Sequence, residues 1–146
     1  MNEMEIRKFM KKITTLMYFS FALWIFIVVI QFVIGLVTLV VGYGVATLCL
    51  MVYNLIGCIR YMKIINTFKH FSTKPDAAVV VSYFENSIGV CWLFMFINLI
   101  LGGVIGFVGN LYDLILAYYV KSKKMDLLRP SGVPGEIEVP NPRDYE

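Results

Sequence analysis

Between Lys12 and Arg60 the chain carries no Asp, Glu, Lys or Arg, an unbroken run of 47 residues from Ile13 to Ile59. As one α-helix such a run would extend roughly 70 Å, about twice what a bilayer needs. It must therefore turn, and Gly42-Tyr43-Gly44 is its strongest breaker. Helices are predicted over about 15–41 and 45–62.

A second apolar block ends at Val120. It begins near Ala77, after Lys74-Pro75-Asp76, or near Ile88, after Glu85. Gly102-Gly103 is its natural turn, which predicts helices over about 77–101 and 104–120. The last is close to the shortest length that spans a bilayer, so little tilt is expected. Composition agrees. At 59% hydrophobic and 16% charged, with a mean hydropathy of +0.74, the chain is more apolar than a soluble domain, which averages about 45–50% and about 25%. The excess must face something other than water, and lipid is the simplest answer.

The basic residues provide an independent check. Arg7, Lys8, Lys11 and Lys12 precede the first helix, and Arg60, Lys63, Lys69 and Lys74 follow the second. Lys121, Lys123, Lys124 and Arg129 follow the fourth, with Arg143 beyond them, and the two turns carry none. Four spans with both termini cytoplasmic put every cation on one side, whereas an odd number would split them. The expected fold is an all-α integral membrane protein of four transmembrane helices arranged as two hairpins. By analogy of size and hydropathy, its expected location is a bacterial inner membrane. The first apolar run is far too long for a signal-peptide core, so it is expected to stay as a span.

Two segments lie outside the spans. Ile64 to Phe71 (IINTFKHF) places Ile64, Ile65, Phe68 and Phe71 on one helical face, which predicts a short interfacial helix between the hairpins. His70, the single histidine, reads as solvated there. Residues 1–125 form the membrane domain. Residues 126–146 hold four of the five prolines and half of the ten acids and read as an extended, Pro-rich acidic cytoplasmic tail.

A shift of 59 residues aligns YNLIGCIRYMK (53–63) with YDLILAYYVKS (112–122) and Gly44 with Gly103. This suggests a parallel internal repeat. The repeat starts the third helix near Pro75, at a first-turn position. It also places Asn54, Glu85 and Asp113 at one depth, roughly 9 to 15 Å from the cytoplasmic edge.

Asp113 is the most informative single residue. Positions 102, 106, 109, 113 and 117 share one helical face and read Gly, Gly, Gly, Asp, Ala. Small residues let helix backbones approach closely in lipid, so Gly102, Gly106, Gly109 and Ala117 form a candidate packing face, and Asp113 is aimed at another helix. An ionised Asp at a helix centre costs about 2.5–3.5 kcal/mol on insertion scales, so it needs partners or a function. In one reading Asp113 hydrogen-bonds Asn54 and fixes packing or assembly. In the other, Asp113 and Glu85 bind a proton or cation along a transport route.

Other chemistry is poorly supported. No HExxH, GxSxG or P-loop occurs, and the glycines of GGVIGFVG follow no strand. Cys49, Cys58 and Cys91 lack metal-ligand spacing and read as small packing residues. No basic stripe with interleaved aromatics suits nucleic acid. No enzyme activity, metal or cofactor is expected. The expected function is a non-enzymatic interaction, assembly or accessory subunit. Its partners are the bilayer, a membrane protein or further copies of itself, and a cytoplasmic protein that engages the tail. The alternative is a homo-oligomeric channel or transporter for protons, ions or a small solute.

Overall fold

The computed structural model describes residues 3–101 and 103–128. The described residues form helices α1 (Glu3–Val37), α2 (Tyr43–Phe68), α3 (Lys74–Leu101), α4 (Gly103–Ser122) and the short α5 (Lys124–Leu128), with a single 3₁₀ turn at Leu39–Val41. Four of them, α1 to α4, are long and apolar enough to cross a membrane. Gly102 and residues 129–146, hence most of the acidic tail, lie outside the described residues.

α1 packs along α2, and α3 along α4; α1 also reaches α4 across the bundle. The reason lies in the spacing along α1. Ile6, Met10, Ile13, Met17, Ser20, Ile27 and Gln31 are buried and recur at steps of three and four, with half-buried Trp24 on the same line. This seam keeps one face of a 35-residue helix turned toward its neighbours.

The connection between α1 and α2 is tighter than expected, and α1 ends at Val37 rather than near 41. Thr38 Oγ1 donates back to the Ile34 carbonyl at 2.7 Å, and the chain then narrows into the 3₁₀ turn. Gly42 adopts φ +78°, the left-handed conformation that a side chain disfavours. Immediately beyond it, Gly44 lies against the Gly35 carbonyl and the Leu39 backbone.

α3 begins at Lys74 because the residues before it cap it. Asp76 Oδ2 accepts the Ser72 and Thr73 backbone N–H groups, each at 2.9 Å, and Thr73 Oγ1 accepts the Asp76 N–H at 3.4 Å. This reciprocal arrangement satisfies donors that a helix start leaves unpaired. At the other end of α3, the carbonyls of Ile100 and Leu101 accept the hydroxyls of Tyr43 and Thr47 from α2. α3 therefore ends level with the first turn of α2.

One expectation needs correction. The segment from Ile64 is not a separate interfacial helix; α2 runs unbroken through Phe68. No Gly or Pro interrupts it after Gly57. Ile65 and Phe68 bury themselves in the main core with Ile6, Met10, Val80, Phe84 and Leu127. Packing against other helices wins over lying flat on lipid. The apolar core is thus concentrated at the end of the bundle that carries the basic residues.

Candidate functional site

Away from that core, the bundle interior is polar in two places. In the first, Asn54 Nδ2 donates to Gln31 Oε1 at 2.9 Å and to Asn98 Oδ1 at 3.2 Å, and Gln31 Nε2 donates to the same Asn98 oxygen at 3.3 Å. Asn98 Nδ2 turns back to the Phe94 carbonyl at 3.0 Å. The three amides tie α1, α2 and α3 together. Among the described residues every buried side-chain nitrogen and oxygen has a partner, as low-dielectric surroundings demand.

The second node is Asp113. Its Oδ1 accepts the Ser20 hydroxyl, and its Oδ2 accepts the Trp24 indole N–H at 2.6 Å. Both donors come from α1, one turn apart, so the carboxylate clasps α4 to α1. The small residues beside it make the approach close enough. A Cβ on Gly109 would come within 3.1 Å of the Trp24 ring, and one on Gly106 would strike Asn98. Ala117 is fully buried one turn beyond Asp113. This face therefore meets α3 at Gly106 and α1 at Gly109 and Asp113.

Of the three polar residues expected at one depth, Asn54 and Asp113 border one cavity, described below, and Glu85 does not. Asn54 pairs with Gln31 and Asp113 with Trp24, seven residues apart on α1, which is roughly 10 Å along the helix. About half of that offset is the one-turn shift, roughly 5 Å, by which α3 ends inside the start of α2. Glu85 is elsewhere again: Lys124 Nζ lies 2.9 Å from Glu85 Oε2 and 3.1 Å from Oε1. Its carboxylate therefore sits at the level of the basic residues that follow α4. α3, at 28 residues, extends roughly 42 Å, longer than the roughly 30 Å that an apolar layer needs, so its first turns reach the basic end.

The Glu85–Lys124 pair is half-exposed, with side chains 27% and 43% accessible. Such pairs contribute little. Glu85→Gln should lower unfolding stability in detergent by less than about 1 kcal/mol, and added salt should erase the difference; α5 stays docked through Leu127, which is fully buried. A salt-independent loss of several kcal/mol would instead put Glu85 in the bundle interior.

Beside Asp113 is a cavity of about 230 Å³. Its walls are α2 residues from Tyr53 to Tyr61 and α3 residues from Tyr83 to Phe94; Trp24, Asn110 and Asp113 reach it from α1 and α4. Tyr53 and Phe94 stack at 4.8 Å across one end. At the mouth, Tyr53, Gly57 and Val90 are exposed, so the cavity opens sideways between α2 and α3. Spacing alone identified Asp113 but missed its partners. Trp24 reads from sequence as packing or lipid-facing surface, yet its indole is the longer arm of the clasp. Among the described residues no three His, Cys, Asp or Glu side chains gather to hold a metal ion.

No known protein family, curated protein or solved structure matches the chain.

Proposed function

We propose that the chain is a multi-pass protein of a cell membrane, its two helical hairpins threaded with both ends on the cytoplasmic side, and that it serves without catalysis as an interaction, assembly or accessory subunit. The observation that carries this reading is the use made of Asp113. Both of its oxygens accept neutral donors from α1, which makes the acid a clasp between the hairpins. Glu85, the other acid of the long helices expected to act with it, is held at the bundle end by Lys124, so it does not stand beside Asp113 as the second carboxylate of a proton or ion relay. With the amide node joining α1, α2 and α3, the two clusters brace the bundle into one stiff unit, a form suited to presenting fixed surfaces to a partner. Placement of every Lys and Arg outside the two turns supports the orientation.

Purification in a mild detergent should recover the chain in a stoichiometric complex, either with a second protein or with further copies of itself. A monomer without any partner would count against the reading. One observation favours transport as the second reading, namely the cavity that reaches Asp113. Purified protein in liposomes is therefore expected to show no proton or alkali-ion flux above protein-free vesicles. Flux that Asp113→Asn abolishes would move the conclusion to a channel or transporter.

A further inference from the structure

We propose that the cavity between α2 and α3 is a binding site for a small lipophilic monoamine, which enters from the lipid as the neutral base, takes the proton of the Asp113 carboxyl group and stays as an ammonium paired with the carboxylate. This inference needs only the four-helix fold and does not depend on the accessory reading.

Charge is the first argument. Asp113 lines the cavity, and among the described residues no Lys or Arg forms an ion pair with it. A carboxylate offers about four lone-pair positions, and Ser20 and Trp24 use two. The remaining capacity faces an apolar setting in which an unpaired anion is costly and a cation lowers that cost. Asn54 and Asn110 direct their amide hydrogens elsewhere, to Gln31, Asn98 and the Gly106 carbonyl. Among the lining residues Asp113 is therefore the acid that a basic ligand would find.

The walls set the class of cation. Trp24, Tyr53, Tyr61, Tyr83 and Phe94 border the cavity, and aromatic faces attract an ammonium group and repel an anion. A bare metal ion fits poorly, since a hard cation gathers six or more oxygen ligands and one carboxylate supplies too few. Size sets the next limit. A dry cavity of about 150 Å³ holds benzene, so 230 Å³ accommodates about nine or ten non-hydrogen atoms by the same scale. The entrance fixes the route. The mouth lies on the apolar outer face of α2 and α3, so the ligand must dissolve in lipid before it binds. The ammonium of a lipid headgroup stays at the interface, and Asp113 lies eight residues inward of Lys121, roughly 12 Å.

The protein has two tryptophans, Trp24 in the cavity wall and Trp92 on the exposed face of α3. In a Trp92→Phe background, Trp24 becomes the sole reporter. Full-length protein in nanodiscs is titrated with 2-phenylethylamine and with 2-phenylethanol, its neutral counterpart of nearly equal size. The amine should change Trp24 emission saturably, with an affinity at least about tenfold above that of the alcohol, as expected when a charge-assisted bond replaces a neutral one. Asp113→Asn should remove that preference. Gly57→Leu should remove binding of both compounds, because Gly57 lines the mouth of the cavity and a Cβ there meets no atom within 4 Å, so the larger side chain starts in open space and obstructs the entrance. A single cooperative thermal transition in each variant would confirm that both fold. Equal affinity for the two compounds, an amine preference that survives Asp113→Asn, binding unaffected by Gly57→Leu, or no saturable response would each overturn the proposal.

Discussion

Gly44→Ala should be among the most damaging single substitutions in the chain, lowering unfolding stability in detergent by about 3–4 kcal/mol, at the upper end for point changes. The added methyl group would point at the Gly35 carbonyl oxygen and the Leu39 backbone nitrogen, and would lie 2.7 Å from the Leu39 Cα. These are backbone atoms of α1 and of the 3₁₀ turn that joins it to α2. No rotamer change relieves the clash; only separation of α1 from α2 does. Separation would also pull Tyr43 and Thr47 away from the carbonyls at the end of α3. Gly89→Ala is the matched control, because a Cβ there meets nothing within 4 Å. It should be neutral or stabilising by up to about 1 kcal/mol, the helix-propensity difference between the residues. Titration of both variants with a denaturing detergent reads the contrast. Equal stability of Gly44→Ala and the control would show that the two helices do not meet at that glycine.

The elements of the fold were largely visible from sequence because lipid punishes unpaired backbone and charge so heavily. A 47-residue uncharged run must turn, and glycine marks where. Hydropathy leaves the start of α3 open between Ala77 and Ile88, and the capping sequence Thr73-Lys74-Pro75-Asp76, with proline in the first turn, is what places it at Lys74. How each helix rotates about its axis was harder to read. These helices are apolar on every side, so hydrophobic periodicity cannot say which face meets which neighbour. Polar residues carry that information instead. Steps of three and four from Met17 through Ser20, Trp24, Ile27 and Gln31 to Gly35 trace the inner face of α1, and they include both donors to Asp113. The weak repeat misled here, since equal position within two helix pairs does not mean equal depth when one pair sits a turn lower. The cavity left no sequence signature at all. It lies between α2 and α3 beside the Tyr53–Phe94 stack, a property of packing and not of any residue alone.

Gly106→Leu should cost about 3 kcal/mol and should damage the amide node as well as the α3–α4 contact, the upper range for overpacking in a close-packed interior. A Cβ at position 106 would lie 2.8 Å from both Cβ and Cγ of Asn98 and would strike its Oδ1. The terminal amide could swing aside, but the Cβ of Asn98 moves only with its backbone. Asn98 is fully buried, and its oxygen accepts from both Gln31 and Asn54, so displacing it leaves two donors unsatisfied in a medium without water. Interhelical hydrogen bonds in membranes contribute about 0.6 kcal/mol each, so most of the loss should come from the steric term. That division is measurable. Asn98→Leu, which removes the bonds but keeps α4 close, should cost only about 1–2 kcal/mol on the same denaturing-detergent titration. Combining it with Gly106→Leu should cost clearly less than, or clearly more than, the sum of the two changes, because both act on one contact. Simple additivity would mean that Gly106 and Asn98 do not touch, and the close approach of α3 and α4 would then need another cause.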